Sequence, residues 1–269
     1  MRTDPRPTPE SIGAYYPDDY GPYLGTRVDE PEPVAPRPAW KRRLLGLIDL
    51  RTEFLPPLAP GRMLEIGCAS GSFLNRMSSR GWEVEGIEPS ATAAGRARSL
   101  GFSVQTASLE SAVPPARPVD LAVGWMVLEH LHDPITALQK LRGWVKPGGW
   151  LVGSTPDAGT WQLRAFGGAW YSLSLPHHLF HYTPSTLAVV LDHAGWKLER
   201  LVHQRLVSDP VASLGYLLQD RGRAPRLASR LTGYPTRPGR QHLFAYPLAL
   251  VLAALRRTGR MTFWARPAR

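Results

Sequence analysis

A run of small residues between a short apolar strand and an amphipathic helix constrains this chain most. It occupies Arg62-Met63-Leu64-Glu65-Ile66-Gly67-Cys68-Ala69-Ser70-Gly71-Ser72-Phe73-Leu74. Because Gly67, Ala69 and Gly71 carry little or no side chain, the backbone there can approach a nucleotide-like ligand closely. One turn later, Val84-Glu85-Gly86-Ile87-Glu88-Pro89 reads as a second strand ending in an acid. A carboxylate at that place can accept both hydroxyl protons of a ribose. Together the two signals predict a doubly wound α/β sheet holding an adenosine-type cofactor at the carboxyl ends of its strands.

The turn argues against a dinucleotide. Such a turn reads Gly-x-Gly-x-x-Gly and sets a pyrophosphate on a helix N-terminus. Here the order is Glu65-x-Gly67-x-Ala69-x-Gly71, with a carboxylate at the strand end. Glu65 would repel a pyrophosphate and suits a ligand carrying an ammonium and a sulfonium.

These residues resemble the first motif of class I S-adenosylmethionine-dependent methyltransferases, and the likeness continues down the chain. Asp120 to Pro134 is similar to that family's fourth strand and following loop, and Val145 to Val152 to the turn into its fifth strand. The resemblance covers about residues 60–205. It implies a Rossmann-like, seven-stranded, mostly parallel sheet with helices on both faces and a last antiparallel strand. It also implies S-adenosylmethionine as cofactor, held by Glu65, Gly67, Ala69, Gly71, Glu88, Ser108, Leu109 and Trp125. One departure bears on adenine: an acid is common after the third strand, where this chain has Thr106-Ala107-Ser108-Leu109-Glu110.

Within the loop after the fourth strand, Glu129-His130-Leu131-His132-Asp133-Pro134 resembles the Glu-His-x-x-Asp-Pro run of ubiquinone-biosynthesis O-methyltransferases. Two readings stay open: His130 as general base, or Glu129 and His130 as a hydrogen-bonded pair that shapes the loop. Some of those enzymes hold a divalent metal with Glu-x-x-Glu-His. This chain has Met126 at the first acid, and two ligands make a poor magnesium site, so no metal is expected. A second cluster, Pro176-His177-His178-Leu179-Phe180-His181-Tyr182-Thr183, is similar to a group of small-molecule and glycan-modifying methyltransferases and singles out His178. An imidazole near its ordinary pKa would accept a hydroxyl proton there. His177 and His181 read as a polar loop with capping duties.

Around this core, four segments are expected. Residues 1–39, rich in proline and acid, form an extended arm or a lid carrying the aromatic run Tyr15 to Tyr23. Residues 40–205 form the cofactor-binding core, opened by a helix over 40–55. Residues 206–259 form a basic helical insertion, read as a hairpin, and 260–269 supply the final strand. Ser72, Ser90 and Asp133 read as helix caps, with helices over Ser72–Ser79, Ala91–Leu100 and Pro134–Val145.

The net charge of +10 is concentrated at one end: residues 160–269 hold fifteen basic against four acidic side chains. A solvated face, an acidic acceptor, an anionic membrane surface touched through 206–259, and nucleic acid are the alternatives. Nucleic acid ranks lowest because few aromatic residues interleave the arginines to stack bases. The single cysteine, Cys68, excludes an internal disulfide and a thiolate zinc cluster. With no apolar leader and no run long enough to span a bilayer, a cytoplasmic protein is expected, peripheral at the inner membrane face if 206–259 docks there. The expected activity is methyl transfer from S-adenosylmethionine to a small-molecule, sugar or lipid-linked acceptor, most simply at oxygen, with a nucleic-acid-binding protein as the competing reading.

Overall fold

The structure, a computed structural model, describes residues 1–17, 54–235 and 241–268. The expected helix over 40–55 and most of the Tyr15–Tyr23 run lie outside the described residues.

Strands and helices alternate as the sequence predicts. They run β1 (Arg62–Ile66), α1 (Ser72–Ser78), β2 (Glu83–Glu88), α2 (Ala91–Ser99), β3 (Ser103–Thr106), β4 (Val119–Trp125), α3 (Pro134–Arg142), β5 (Val145–Pro156), α4 (Trp161–Phe166), α5 (Pro184–His193) and β6 (Trp196–His203). Three helices follow, α6 (Ser208–Asp220), α7 (Pro225–Thr232) and α8 (Gln241–Ala254), before β7 (Arg260–Pro267) closes the chain. The sheet order is β3-β2-β1-β4-β5-β7-β6. The first five strands pair in parallel, and β7 inserts antiparallel to both β5 and β6.

Each sheet face carries its own core, as side-chain alternation along a doubly covered sheet requires. Leu64, Ile66 and Phe263 face α3 and α5 through Leu138, Leu141, Leu187 and Leu191. Met63, Leu121, Val123 and Trp264 face α1 and α2 through Phe73, Leu74, Met77 and Ala97. This two-sided burial holds the carboxyl ends of β1, β2 and β4 rigidly side by side, and the site lies there.

Helix boundaries follow local chemistry. Ser90 accepts from the Ala93 amide and Asp133 from the Thr136 amide, both as expected. Ser72 is not a cap: it is the first helical residue, and Gly71 in a left-handed conformation precedes it. The third helix stops at Arg142 rather than Val145, because Val145 leaves to pair with Val119.

Among its described residues, the 206–259 segment forms three helices rather than the expected hairpin. It is tied to the core by a buried polar anchor: the Ser172 hydroxyl donates to Asp209 Oδ2 at 2.7 Å, and the Tyr171 amide to Ser213 Oγ at 2.9 Å. Two of the arginines, both exposed, lie over aromatic rings, Arg266 over Trp150 and Arg200 over Trp264. On α8, Phe244, Leu248 and Val251 are exposed, and Leu255 follows on the same spacing. Among the described residues, no helix is long and apolar enough to cross a membrane.

Candidate active site

A cavity of about 1330 Å³ opens at the carboxyl ends of β1, β2 and β4 and runs to the loop before α5. Its first half is built by the glycine-rich turn. Gly67 has φ +68°, and a Cβ there would stand 2.8 Å from Val127 Cγ2. Ala69 also has positive φ, a strained conformation for a residue with a Cβ. That strain aims the Ala69 amide at Glu88 Oε2 (2.9 Å), while the Ser90 amide donates to Oε1 (2.8 Å). Glu88 is 2% exposed, and burial raises its pKa against the pull of those two amides. Each carboxylate oxygen keeps a lone pair for a further donor, and the residue borders the cavity.

Ser108, Leu109 and Trp125 also border this half. Glu110, the remaining acid after β3, is half-buried at the cavity edge and accepts from the His132 amide at 3.0 Å. Two expected contacts stand back from the cavity wall: Glu65, buried at the end of β1, and Gly71, packed on Ala97 behind the turn. They support the turn from behind it.

The second half is the histidine cluster. Glu129 and His130 lie on a short 3-10 turn after β4, whose entry residue Met126 has φ +56°. The Glu129 carbonyl accepts from the Leu179 and Phe180 amides, docking the histidine loop onto that turn. As a result His130 and His178, on separate loops, stand perpendicular with ring centroids 4.8 Å apart. His130 Nδ1 is 3.0 Å from the His177 carbonyl and 2.7 Å from Tyr16 Oη. His178 Nδ1 is 2.9 Å from the Ser172 carbonyl. A carbonyl only accepts, so both Nδ1 atoms carry the proton and both Nε2 atoms keep a lone pair.

Burial lowers His130 to about 4 and pushes His178 further down. The expectation of a histidine near its ordinary pKa is therefore corrected: enclosure by protein disfavours the imidazolium. Glu129 is wholly buried, which raises its pKa to about 8. It makes no hydrogen bond to His130, so the paired reading is not what the structure holds.

His177 and His181 do not cap a helix; Thr183 does that for α5. They pin the amino-terminal arm instead. His177 Nε2 meets the Tyr15 carbonyl at 2.7 Å, and His181 Nε2 meets Thr3 Oγ1 at 3.3 Å. The arm is held further by Arg6 to the His132 carbonyl and Thr3 to the His178 carbonyl. Pro9, Ile12, Gly13 and Tyr16 thereby roof the cavity. Arg260, Tyr171 and Tyr216 form its far wall. The sequence pointed to none of these three, because residues far apart in the chain meet there without a motif.

A mostly parallel sheet with a glycine-rich turn and an acid at its strand ends is that of the doubly wound α/β nucleotide-binding proteins. The chain belongs to the methyltransferase domain family, whose model matches residues 39–201. It is an S-adenosylmethionine-dependent methyltransferase. A ubiquinone biosynthesis O-methyltransferase from Thiobacillus denitrificans is 30% identical over 159 residues, covering 54% of this chain and 68% of that one. One from Bordetella avium is 31% identical over 163 residues, with 54% and 68% covered. Among solved structures, an S-adenosylmethionine-dependent methyltransferase from Mesorhizobium loti superposes with TM-score 0.53 at 18% identity, covering 79% of this chain and 93% of that one. The [4+2]-cyclase SpnF superposes with TM-score 0.53 at 20% identity, covering 98% and 97%. Both structures speak for the fold alone.

The cleft fits this cofactor. Glu88 offers two anchored acceptor oxygens for ribose hydroxyls, and Gly67 leaves the space that a Cβ would fill.

Proposed function

We propose that the protein methylates an oxygen of a flat, hydroxyl-bearing small molecule. Gly67, Ala69, Glu88, Ser108, Leu109 and Trp125 form the cofactor end of the cleft, supported by Glu65 and Gly71, and His130 and His178 face the acceptor. The observation that carries this is the pair of imidazoles on the cavity wall, set on separate loops with ring centroids 4.8 Å apart, each with its Nδ1 proton on a carbonyl and a lone pair left at Nε2. The relatives' name, O-methyltransferase, supports oxygen as the methylated atom. The aromatic far wall of Tyr171 and Tyr216, stacked at 6.2 Å, suits a planar acceptor better than a sugar or a lipid-linked glycan.

The residues divide the work simply. When bound, S-adenosylmethionine supplies an electrophilic methyl whose C–S bond breaks as the acceptor O–C bond forms. Glu88 accepts the ribose hydroxyls and so fixes the nucleoside along the cleft. His130 and His178 are neutral at physiological pH, and one of the two accepts the hydrogen bond of the acceptor hydroxyl at Nε2 and takes its single proton there. A weak base suffices, because the hydroxyl proton becomes strongly acidic once its oxygen gains a methyl. Tyr16 and the arm close the cleft against water, and Glu129 anchors the histidine loop through its backbone carbonyl.

The test is incubation of the purified chain with deuterated-methyl donor and metabolite extract, followed by mass spectrometry. Label on a phenolic or other hydroxyl oxygen is expected. Label on nitrogen or carbon, or on a sugar, would overturn the acceptor reading.

A second reading concerns location. The exposed apolar side of α8, with Arg256 and Arg257 just beyond it, suits an anionic bilayer surface. On that reading the enzyme docks peripherally and draws an apolar acceptor from lipid.

A further inference from the structure

We propose that Glu129, His130 and His178 form a divalent transition-metal site. The metal-ligating atoms of the three residues all lie within 4.8 Å of one another. In sequence only Glu129 and His130 are neighbours, and Met126 stands where a third ligand would be sought. The fold replaces that ligand from another loop by seating the Leu179 and Phe180 amides on the Glu129 carbonyl, which carries His178 alongside.

Three observations point to a cation. First, both imidazoles hold their Nδ1 proton on a backbone carbonyl, at 3.0 and 2.9 Å, which leaves each Nε2 with a lone pair for a ligand. Metal-binding histidines are oriented in this way, with the far N–H fixing tautomer and ring direction. Second, Glu129 is 0% exposed and neither of its carboxylate oxygens reaches full hydrogen-bond geometry, its polar neighbours being the Thr155 hydroxyl and the Arg260 guanidinium. A buried carboxyl without full hydrogen bonding is costly, and an ion relieves it. Third, His130 and His178 border the cavity whereas Glu129 lies beneath it, so a bound ion keeps a face open to an incoming oxygen.

The donor set selects the ion. Two imidazoles and one carboxylate favour zinc, cobalt, nickel, manganese or iron, whereas magnesium and calcium prefer oxygen ligands throughout. Coordination uses the same lone pairs that otherwise take the acceptor proton. A divalent charge held there would make an acceptor hydroxyl beside it easier to ionise. Only this link to the acceptor rests on the reading above; the site itself does not.

Chelator-treated, tag-free protein is titrated with cobalt(II), reading the visible d–d absorption, alongside calorimetry with zinc(II). Wild type is expected to bind one equivalent and to gain thermal stability, with millimolar magnesium failing to compete. His178→Ala and Glu129→Gln are each expected to weaken cobalt binding by ~10-fold or more. Each preparation is also titrated with S-adenosylmethionine, whose retained binding shows that the variant is folded. No stoichiometric cobalt band, or equal affinity in wild type and His178→Ala, overturns the metal site. Loss of cofactor binding by wild type would instead strike the methyltransferase site and leave the metal result to stand by itself.

Discussion

Glu88→Gln probes the nucleoside end of the cleft most directly. Both carboxylate oxygens accept backbone amides, from Ala69 at 2.9 Å and Ser90 at 2.8 Å. A glutamine satisfies one amide and must turn its NH2 toward the other, donor against donor. On the ligand side, two ribose hydroxyls lose a charged acceptor. Hydrogen bonds to charged groups contribute roughly 1.5–3 kcal/mol each, so two of them weakened together cost about 3 kcal/mol of binding, or ~100-fold in Kd. The fold itself is expected to suffer less. Burial already makes the ionised Glu88 costly, so removing the charge offsets part of the lost amide bonding. Calorimetric titration with S-adenosylmethionine and a thermal melt of the same sample read the two effects separately. A Kd within about threefold of wild type, which is under ~1 kcal/mol, would refute the ribose assignment.

The same residue has a definite pH signature. Its folded pKa is raised above the unfolded value of 4.5, so the folded chain holds that proton more tightly than the unfolded chain. Its contribution to stability is thus fully present below 4.5 and is lost as pH rises through the raised value. Cofactor affinity runs the other way, because the ribose hydroxyls need the ionised form. Affinity should fall on acidification through that window in wild type and change less in Glu88→Gln.

The other predictions test the turn, the arm and the surface. Gly67→Ala places a methyl 2.8 Å from Val127 Cγ2 at φ +68°, and with about 1–2 kcal/mol for the left-handed backbone should lower Tm by several degrees. Adding Val127→Ala should recover the contact cost but not the backbone cost; full recovery would contradict the assignment of strain. Tyr16→Phe removes the 2.7 Å contact to His130 and should lower kcat/KM by about 5-fold, near 1 kcal/mol, with cofactor affinity unchanged. A fall in cofactor affinity at constant kcat would show that the arm serves the nucleoside instead. Vesicles containing anionic lipid should co-sediment the wild-type chain more than Phe244→Ser/Leu248→Ser, and equal recovery of both would discard the docking face.

Much of the turn and of the strands that flank it was legible because their signals are local. Strand, small-residue turn, helix and terminal acid follow one another within the span from Arg62 to Glu88, and each has a steric or hydrogen-bonding reason that short-range sequence can express. The alternation of strands and helices likewise announced the sheet, and the likeness to a known family placed the last strand antiparallel. The limits of local reading show at Glu65 and Gly71. Both belong to the motif, yet packing sets them behind the cavity wall.

The acceptor half is different in kind. Nothing in the order of residues says that His178 will face His130, that the Tyr16 hydroxyl will reach the same imidazole, or that Arg260 will wall the far end. Those meetings depend on amides of the loop before α5 docking on the Glu129 carbonyl, and on the arm pairing across that loop. Burial then moves the acids and histidines away from their ordinary pKa values, an effect of the surrounding protein and of no residue alone. The chain's order of residues thus determined the sheet and the nucleoside turn, whose causes are neighbours in sequence. Tertiary contact decided the histidine and carboxylate cluster, because its geometry and charge exist only once distant loops exclude water together.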